Sequence, residues 1–500
     1  MNRRPKLSLT RLILFSVVGF TFFISSCKKD NHTPEPDPTN SIVNEWVAEN
    51  MRIWYYWNQS IPSDRRLDFT KAPTDFFETL LDPADRFSWI QKADELDDYL
   101  SGVSTSTGIN FALFRYSTRK IFASIRYVIP GSPAEALGVK RGMIFTSVNG
   151  TLLTMDNYNQ VLDPYFNGKG FQITLADLEN NTITQTDKKI NLTAARIDEP
   201  SVHFKEILMT SSGKKVGYIF YNHFLNEKAD ELFTVFNDFK AAGISDLILD
   251  LRYNLGGGIA VAGVLSGLIK QSYAKDQIFV KYNYNSILNA EIPLDERNTS
   301  FKDLFPSVSK LKDTTAAFEE IDNKIKTANL NLPKVYILAT DNSASASELV
   351  IHNLAPYMQV IHVGDTTIGK NEGSITIEDE REPRIIDWAI QPIVVKLADK
   401  DGDGDYDKGL VPDYLIDEND FLPLSPLGSK EDPLIAKALE LIDPALSRST
   451  LSKSRAMLSS RSDAFSVINR FNKEHYKPLP VMMDGAIDKK VLERVQKTNR

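Results

Sequence analysis

Residues 246–269 read DLILDLRYNLGGGIAVAGVLSGLI, and this stretch decides the fold. An apolar strand pattern, Leu247–Leu251, leads into three consecutive glycines, Gly256–Gly258, and then into an apolar helix pattern, Ile259–Ile269. Glycines at such a junction let the backbone turn tightly and leave N–H groups exposed near a helix N-terminus, where an anion can bind. The string is neither a Gly-x-Gly-x-x-Gly fingerprint nor a Walker loop. By itself, the pattern leaves phosphate binding and oxyanion binding both open.

Strand and helix patterns alternate on both sides of this stretch. Val216–Tyr221 reads as a buried strand and is followed by an amphipathic helix pattern, Ala229–Ala242. Further on, Val335–Ala339 precedes a helix pattern from about 345 to 357. Repeated strand–helix–strand units predict an α/β core, which we place over residues 195–445. Asp250 and Arg252, at the end of the central strand, need be no more than a structural pair.

A run of small residues, NSASASE at positions 342–348, lies between one of these strands and its helix. Small residues allow close approach of a substrate, and a serine at a helix start gains from the positive end of the helix dipole when an alkoxide forms. However, Ser345 and Glu348 also have the spacing of a capping box, which is the commoner use of this pattern. The run alone therefore favours a helix cap over a nucleophile.

Lys370 changes that balance. It lies 25 residues after Ser345, beyond the strand pattern Val360–Val363 and directly after Gly369. A lysine that returns beside the end of the previous strand can reach a serine there. If it is buried, its pKa falls and it can accept the serine proton. A solvated surface lysine is the alternative for Lys370 taken alone.

Residues 103–180 have a different character, with short β patterns separated by turn signals. The segment Gly131–Val139, followed by Val148-Asn149-Gly150, resembles a PDZ domain of the kind associated with bacterial proteases. This resemblance implies that the backbone amides of Gly108-Ile109-Asn110-Phe111 hold the C-terminal carboxylate of a peptide, whose chain adds as a strand beside them. A small β-module that only packs is the alternative.

In this order, the glycine string, the serine run and Gly369-Lys370 resemble the carboxyl-terminal processing (tail-specific) serine peptidases. The resemblance covers roughly residues 103–420 and the aromatic helical segment before them. It implies a Ser–Lys dyad of Ser345 and Lys370, because the family's middle serine precedes its lysine by 25 residues. It also implies a crotonase-like core and an oxyanion hole. The implied donors are the amide of Ala346 and that of either Gly256 or Gly257.

The chain departs from this family at the residue that orients the base. The family often places Gln four residues after the lysine or Asp eleven after the serine, and these positions are Ser374 and Pro356 here. Ser374 can hydrogen-bond a lysine, whereas Pro356 cannot. Glu372 is a possible substitute, although we expect a solvated turn residue there. The third catalytic position is therefore open.

The N-terminus predicts export and a lipid anchor. Residues 1–26 combine four basic residues with an apolar run, Leu12–Ile24, of signal-peptide length. Cys27, the only cysteine in the chain, follows small residues as in a bacterial lipobox, and the polar, Pro-rich residues 27–41 suit a tether. We expect the protein in the bacterial cell envelope, lipid-anchored to the outer membrane and facing the periplasm or the cell surface. An ordinary signal peptide is the alternative.

The remaining regions complete an α+β multidomain prediction. Residues 42–102 predict a helical domain around the aromatic cluster Trp54–Trp57, and residues 446–500 predict a peripheral tail. The formal net charge is −8, and without the four positive charges of the leader it is −12. Such a charge, with no basic stripe, argues against nucleic-acid binding.

Weaker candidates for chemistry remain. Alternate carboxylates over Asp399–Asp407 suggest a calcium loop, but the twelfth position is Leu410, so an acidic surface turn is favoured. His352 offers an esterase-like base, although a packed histidine is favoured. We predict a serine endopeptidase with no metal or cofactor, which cleaves envelope or secreted polypeptides near their C-termini. An inactive, protease-like peptide-binding lipoprotein is the alternative.

Overall fold

The computed structural model describes residues 38–94, 102–444 and 465–468. The predicted leader, the lipidation site at Cys27, most of the tether and most of the tail lie outside the described residues. Within the described part, no helix is long and apolar enough to cross a membrane.

The N-terminal region contains two helices, α1 (Pro38–Trp54) and α2 (Pro73–Glu78), and one strand, β1 (Trp89–Lys92). The helical domain expected over residues 42–102 holds for these two helices, while turns, two short 3-10 helices and β1 occupy much of the remainder up to residue 94, where the described part of this region ends. The fully buried Tyr55 donates its hydroxyl to the Asp85 carboxylate at 2.8 Å. The aromatic cluster therefore belongs in part to a packed core.

A second module follows, built on an antiparallel sheet in the order β21 (Ser466–Val467), β3 (Ile109–Arg115), β4 (Ile121–Val128), β5 (Ile144–Val148), β7 (Phe171–Glu179) and β8 (Thr182–Leu192). The boundary expected at residue 180 falls inside this sheet. The module also contains β6 (Thr151–Leu152) and the paired strands β2 (Val103–Ser106) and β9 (Ala195–Asp198), which close it. Its helices are α3 (Pro133–Ala136), α4 (Tyr158–Val161) and α5 (Asp163–Phe166).

The third region has a mixed α/β fold, as the alternating patterns predicted. Its strands are β10 (Val202–Met209), β11 (Lys215–Tyr221), β12 (Asp246–Asp250), β13 (Ile278–Tyr284), β14 (Asn298–Ser300), β15 (Lys334–Ala339), β16 (Gln359–Gly364), β17 (Glu372–Ser374), β18 (Trp388–Gln391), β19 (Ile393–Ala398) and β20 (Tyr414–Leu415). Its helices are α6 (Ala229–Ala242), α7 (Ile259–Ile269), α8 (Ser286–Glu291), α9 (Thr314–Ala328), α10 (Ala346–Leu354) and α11 (Pro433–Ile442).

The main sheet has the order β10-β11-β12-β15-β16-β20 and is parallel from β11 onward. Alternate residues of β12 point to opposite faces: Leu247 and Leu249 pack in the core that contains α6, α7 and α10, whereas Ile248 packs against α11. Every residue of α7 is buried, which explains why this helix is apolar on all sides. A smaller antiparallel sheet, β14-β13-β19-β17, lies beside the main one, and β1 pairs with β18.

Arg252 belongs to a buried network of ion pairs. Its guanidinium, with no exposed surface, binds the carboxylates of Asp250 at 2.8 Å, Glu418 at 2.9 Å and Asp432 at 2.8 Å. Arg141 of the second module reaches Glu418 at 2.8 Å and joins the same network. The pair suggested by the sequence is therefore part of a larger structural assembly that also connects the second module to the third region.

Replacing Arg252 with alanine is expected to destabilise the fold by about 3–5 kcal/mol, because buried carboxylates lose their counter-charge. Equilibrium unfolding in denaturant, followed by fluorescence, measures this change. Arg119→Ala is the matched control: Arg119 pairs with Asp156 at the surface, where an ion pair contributes less than about 1 kcal/mol. Equal unfolding midpoints for the two variants would contradict this view of the network.

Candidate active site

Three loops meet at one edge of the main sheet because they follow three neighbouring parallel strands. The glycine string follows β12, the serine run follows β15, and the loop that contains Lys370 follows β16. Two backbone hydrogen bonds connect the loops: Ala344 N–H donates to Asn254 O at 3.1 Å, and Ile368 N–H donates to Ser343 O at 3.1 Å. The elements that the sequence analysis singled out are therefore neighbours in space.

Ser345 lies at the start of α10 in a strained conformation. Its φ of 66° and ψ of −118° belong to a region that side-chain-bearing residues rarely adopt, at a cost of about 1–3 kcal/mol. Its side chain is 1% exposed. The hydroxyl faces the Glu348 N–H in the manner of a capping box, yet it makes no regular hydrogen bond. A strained turn that leaves the hydroxyl unused for structure is typical of a nucleophile.

The two neighbouring serines differ from Ser345 in this respect. The Ser343 hydroxyl donates to Leu251 O at 2.7 Å, and the Ser347 hydroxyl donates to Asn254 O at 2.9 Å. Both side chains therefore fix the serine run to the loop after β12. Their hydroxyls are occupied with structural hydrogen bonds.

Glu348 is the residue that holds the turn at Ser345 and the loop of Lys370 together. One carboxylate oxygen accepts from the N–H of Ser345 at 2.7 Å and from that of Lys370 at 2.8 Å. The other accepts from Gly369 N–H at 2.6 Å and from the Thr367 hydroxyl. Burial raises the pKa of Glu348, which has no exposed surface. From the sequence, Glu348 was interpreted only as a helix-capping residue. No pattern in the neighbouring residues indicates its contacts with the loop of Lys370.

Lys370 is 1% exposed, and burial lowers its pKa to about 8. The opposing influence comes from three carboxylates, those of Glu372, Glu348 and Asp85. The ammonium lies 5.2 Å from the centre of the Phe87 ring, which covers it. A lysine with this pKa is about half neutral near pH 8, and a neutral amine is able to accept a proton.

The N-terminal region contributes directly to the site. Besides Phe87, it supplies Arg86, whose guanidinium donates to the carbonyl oxygens of Gly369 and, at 2.9 Å, of Asp407. Arg86 therefore holds the backbone just before Lys370. The sequence pattern predicted only a helical domain here, and neither Arg86 nor Phe87 was assigned to the site from the sequence.

The glycine string borders Ser345 closely. Gly256 has a φ of +107°, and a Cβ added to it would lie 2.6 Å from Ser345 Cβ. Its amide donates to the Asn254 side chain at 2.9 Å. The backbone amides of Gly257 and Ala346 donate no hydrogen bond within the described part of the chain. Of the two glycine amides considered from the sequence, that of Gly257 is the one available to an oxyanion.

Replacing Gly256 with alanine is expected to lower kcat/KM for peptide hydrolysis by at least about 100-fold, because the new methyl group displaces Ser345. Gly243→Ala is the control, since Gly243 also has a positive φ, +67°, but a Cβ there meets nothing within 4 Å. It should lower stability by about 1 kcal/mol and leave turnover unchanged. Full activity of Gly256→Ala would contradict the placement of the glycine string beside the nucleophile.

The residues proposed for orienting the base are all buried. Ser374 is 1% exposed and accepts a hydrogen bond from the Gln391 side chain at 3.1 Å. Gln391, on β18, was not identified from the sequence. The expectation that Glu372 is a solvated turn residue was wrong: it lies in β17, is 3% exposed and binds Lys396. Strand pairing of β17 with β19 buries it.

The other candidates have structural contacts. His352 lies seven residues after Ser345, about 10 Å along a helix, and its ring contacts Asn353 at 2.9 Å and the Tyr406 ring. The acidic turn is closed by Asp399, whose carboxylate accepts backbone N–H groups at 2.8–3.0 Å. Among the described residues, no group of three or more potential ligand side chains could hold a metal ion.

The four residues expected to hold a peptide carboxylate begin β3 in the second module. Gly108 has a φ of +88°, and a Cβ there would collide with the Ser132 side chain at 2.1 Å. Ile109, Asn110 and Phe111 form the start of the strand. The closeness of Gly108 to the Gly131–Ser132 turn explains why no larger residue fits at this corner.

Comparison with known proteins identifies two domains and several relatives. Residues 215–416 match the model of peptidase family S41, and residues 43–89 match the peptidase S41 N-terminal domain. A probable CtpA-like serine protease of Staphylococcus aureus is 24% identical over 415 residues, which are 83% of this chain and 72% of that protein. A protein of the same description from Staphylococcus epidermidis is 24% identical over 373 residues, 74% of this chain and 64% of its own.

A solved structure supports the same assignment. The crystal structure of a candidate S41 protease from Bacteroides fragilis has a TM-score of 0.65 and is 25% identical, and the match covers 80% of this chain and 97% of that one. The matched residues include most of the N-terminal region, the main sheet from β11 to β20 and the three loops at its edge. The chain therefore contains regions that match the N-terminal and peptidase domains of family S41, and it is a serine-type peptidase.

Proposed function

We propose that the protein is an endopeptidase in which Ser345 is the nucleophile and Lys370 is the general base. The observation that supports this most is the link through Glu348. One carboxylate accepts hydrogen bonds from the backbone N–H groups of both residues, so a strained serine and a buried lysine with a pKa of about 8 are held on adjoining loops. Neither the strained conformation of Ser345 nor the burial of Lys370 is needed for helix capping alone.

The proposed reaction proceeds through an acyl-enzyme. Lys370 Nζ takes the proton of the Ser345 hydroxyl as its oxygen attacks the scissile carbonyl carbon. The N–H groups of Gly257 and Ala346 stabilise the oxyanion of the tetrahedral intermediate. The intermediate collapses as the lysine returns its proton to the leaving amine. Water then attacks the ester, again with Lys370 as base, and releases the acid product and the serine.

Ser374 and Gln391 together are our candidates for orienting the base. The Gln391 amide donates to the Ser374 hydroxyl oxygen, and Thr376 donates to the Gln391 carbonyl at 2.8 Å. This chain of hydrogen bonds fixes the position of a buried serine four residues after Lys370. The fixed serine would take the place that Gln occupies in the family pattern.

We further propose that the second module is PDZ-like and binds the C-termini of substrates at Gly108–Phe111, so that cleavage occurs near those ends. A lipid on Cys27 would place the enzyme in the bacterial cell envelope, at the outer membrane. Its substrates there would be envelope or secreted polypeptides. Both statements are supported by the sequence. The glycine turns of the module support peptide binding, and the leader, directly followed by Cys27, the only cysteine in the chain, supports the lipid anchor.

A second candidate function is peptide binding without turnover. It is favoured by the 1% exposure of Ser345, since substrate must reach a buried hydroxyl. Hydrolysis of casein by the wild-type chain separates the two functions. Turnover that disappears in Ser345→Ala and in Lys370→Ala supports the dyad, and equal turnover in all three proteins would rule it out. An esterase based on His352 is disfavoured by the contacts of its ring with Asn353 and Tyr406.

A further inference from the structure

A short piece of the C-terminal region lies on the edge of the second module. Residues 466–467 form a strand, β21 (Ser466–Val467), that pairs antiparallel with β3, with Ser466 opposite Arg115 and Val467 opposite Phe114. The next residue, Ile468, donates its N–H to Leu113 O at 2.9 Å. This strand occupies the side of β3 that faces away from β4.

The side chains of this piece fit the module in the alternating pattern of a strand. The Phe465 ring meets the Phe122 ring edge-on at 5.2 Å between centres, and Val467 packs in the same cluster. Ser466 is exposed, and its hydroxyl accepts from Arg115 Nε at 3.2 Å. Ile468 packs against the other core cluster of the module, to which β3 and the two short helices α4 and α5 contribute.

The direction of this strand matches that of a bound peptide. Because β21 is antiparallel to β3, the chain from Phe465 to Ile468 advances toward Gly108–Phe111, the predicted carboxylate-binding residues. A peptide that adds to β3 with its C-terminus at that loop must run the same way and use the same backbone groups. One edge of one strand cannot pair with two chains at once.

We propose that Phe465–Ile468 is an intramolecular ligand that competes with substrate C-termini for the edge of β3. This inference rests on the proposed peptide-binding role of the second module. With a tethered competitor, the apparent affinity for peptides equals the intrinsic affinity multiplied by the fraction of time that the edge is open. Substrates whose apolar C-termini bind tightly to β3 displace the tail, and substrates that bind weakly do not. The tail therefore sets the minimum affinity at which a substrate can bind.

The first test removes the competitor's hydrogen bond. Ile468→Pro deletes the N–H that donates to Leu113 O, whereas Ile468→Val keeps both the N–H and a branched apolar side chain. Both are made in the full chain with Ser345→Ala, so that the probe is not cleaved. The probe is a fluorescein-labelled decapeptide with an apolar C-terminus and a free carboxylate, and binding is followed by anisotropy.

Ile468→Pro is expected to tighten binding of this peptide about tenfold, while Ile468→Val stays within about twofold of the parent. The amidated form of the same peptide should bind weakly to every variant, because the carboxylate is lost. Equal Kd values for the proline and valine variants would overturn the proposal.

The second test locks the tail in place. Arg115→Cys and Ser466→Cys, in a Cys27→Ser background, introduce cysteines at directly opposed positions, at which a disulfide can form. The oxidised chain should bind the peptide at least about tenfold more weakly than the same chain after reduction. Failure of the disulfide to form, or equal affinity in the two states, would overturn the proposal. Absence of peptide binding in every form, together with casein hydrolysis by the wild-type chain, would also overturn it and leave the dyad standing.

Discussion

Replacing Ser345 with alanine is expected to lower kcat for casein hydrolysis by about 10⁴-fold or more, because the acyl-enzyme cannot form. The fold should be retained, since the hydroxyl makes no regular hydrogen bond that alanine would break. Alanine also keeps the hydrogen bond between the backbone N–H of residue 345 and Glu348. Release of labelled casein fragments measures the activity, and thermal unfolding checks the fold.

The two adjacent serines provide matched controls in the same segment. Ser343→Ala and Ser347→Ala each remove a hydroxyl that donates to a buried carbonyl oxygen, so each should lower stability by about 1–3 kcal/mol. Their kcat should remain within about tenfold of the wild type. A Ser343→Ala or Ser347→Ala variant as inactive as Ser345→Ala, with an intact fold, would move the nucleophile away from Ser345.

Replacing Lys370 with methionine is expected to lower kcat by about 10³-fold, because methionine preserves the length and burial of the side chain but cannot accept a proton. In the wild type, the same lysine predicts a pH dependence. Burial lowers its pKa to about 8, and only the neutral amine acts as a base. Below pH 8 the protonated form predominates, so kcat/KM should fall about tenfold for each further pH unit.

Lys302→Met is the control for the loss of a lysine, since Lys302 pairs with Asp276 at the surface. Its activity and its pH profile should match those of the wild type. The residual activity of Lys370→Met should no longer decline with falling pH around 8. A wild-type profile that is flat between pH 6 and 9, with unchanged KM, would contradict the role of Lys370 as the base.

The sequence was sufficient to predict the elements that frame the site. The helix predicted over Ala229–Ala242 has those bounds in the structure, and the strand pattern Leu247–Leu251 is displaced from β12 by only one residue. Long, strongly periodic segments bury most of their apolar residues in one core, so their pattern and their structure agree. The sequence order also predicted that Lys370 returns beside the end of the strand that precedes Ser345.

The contacts between distant segments could not be predicted in this way. Arg86 binds the loop before Lys370 across 282 positions of the chain, and Gln391 reaches Ser374 from another strand. Their residue types are common in surface turns and strands, and nothing in their local pattern indicates a partner. Glu372 was misjudged for the same reason, because its burial depends on a strand pairing that the sequence around it does not reveal.

The shared carboxylate of Glu348 has a consequence for when the enzyme becomes active. The turn that strains Ser345 and the loop that buries Lys370 are fixed by the same side chain, so both depend on the correct placement of Glu348. A chain without this placement has an ordinary serine and a fully protonated lysine at neutral pH. With the proposed dyad, we therefore expect an incompletely folded chain to be unable to digest its neighbours.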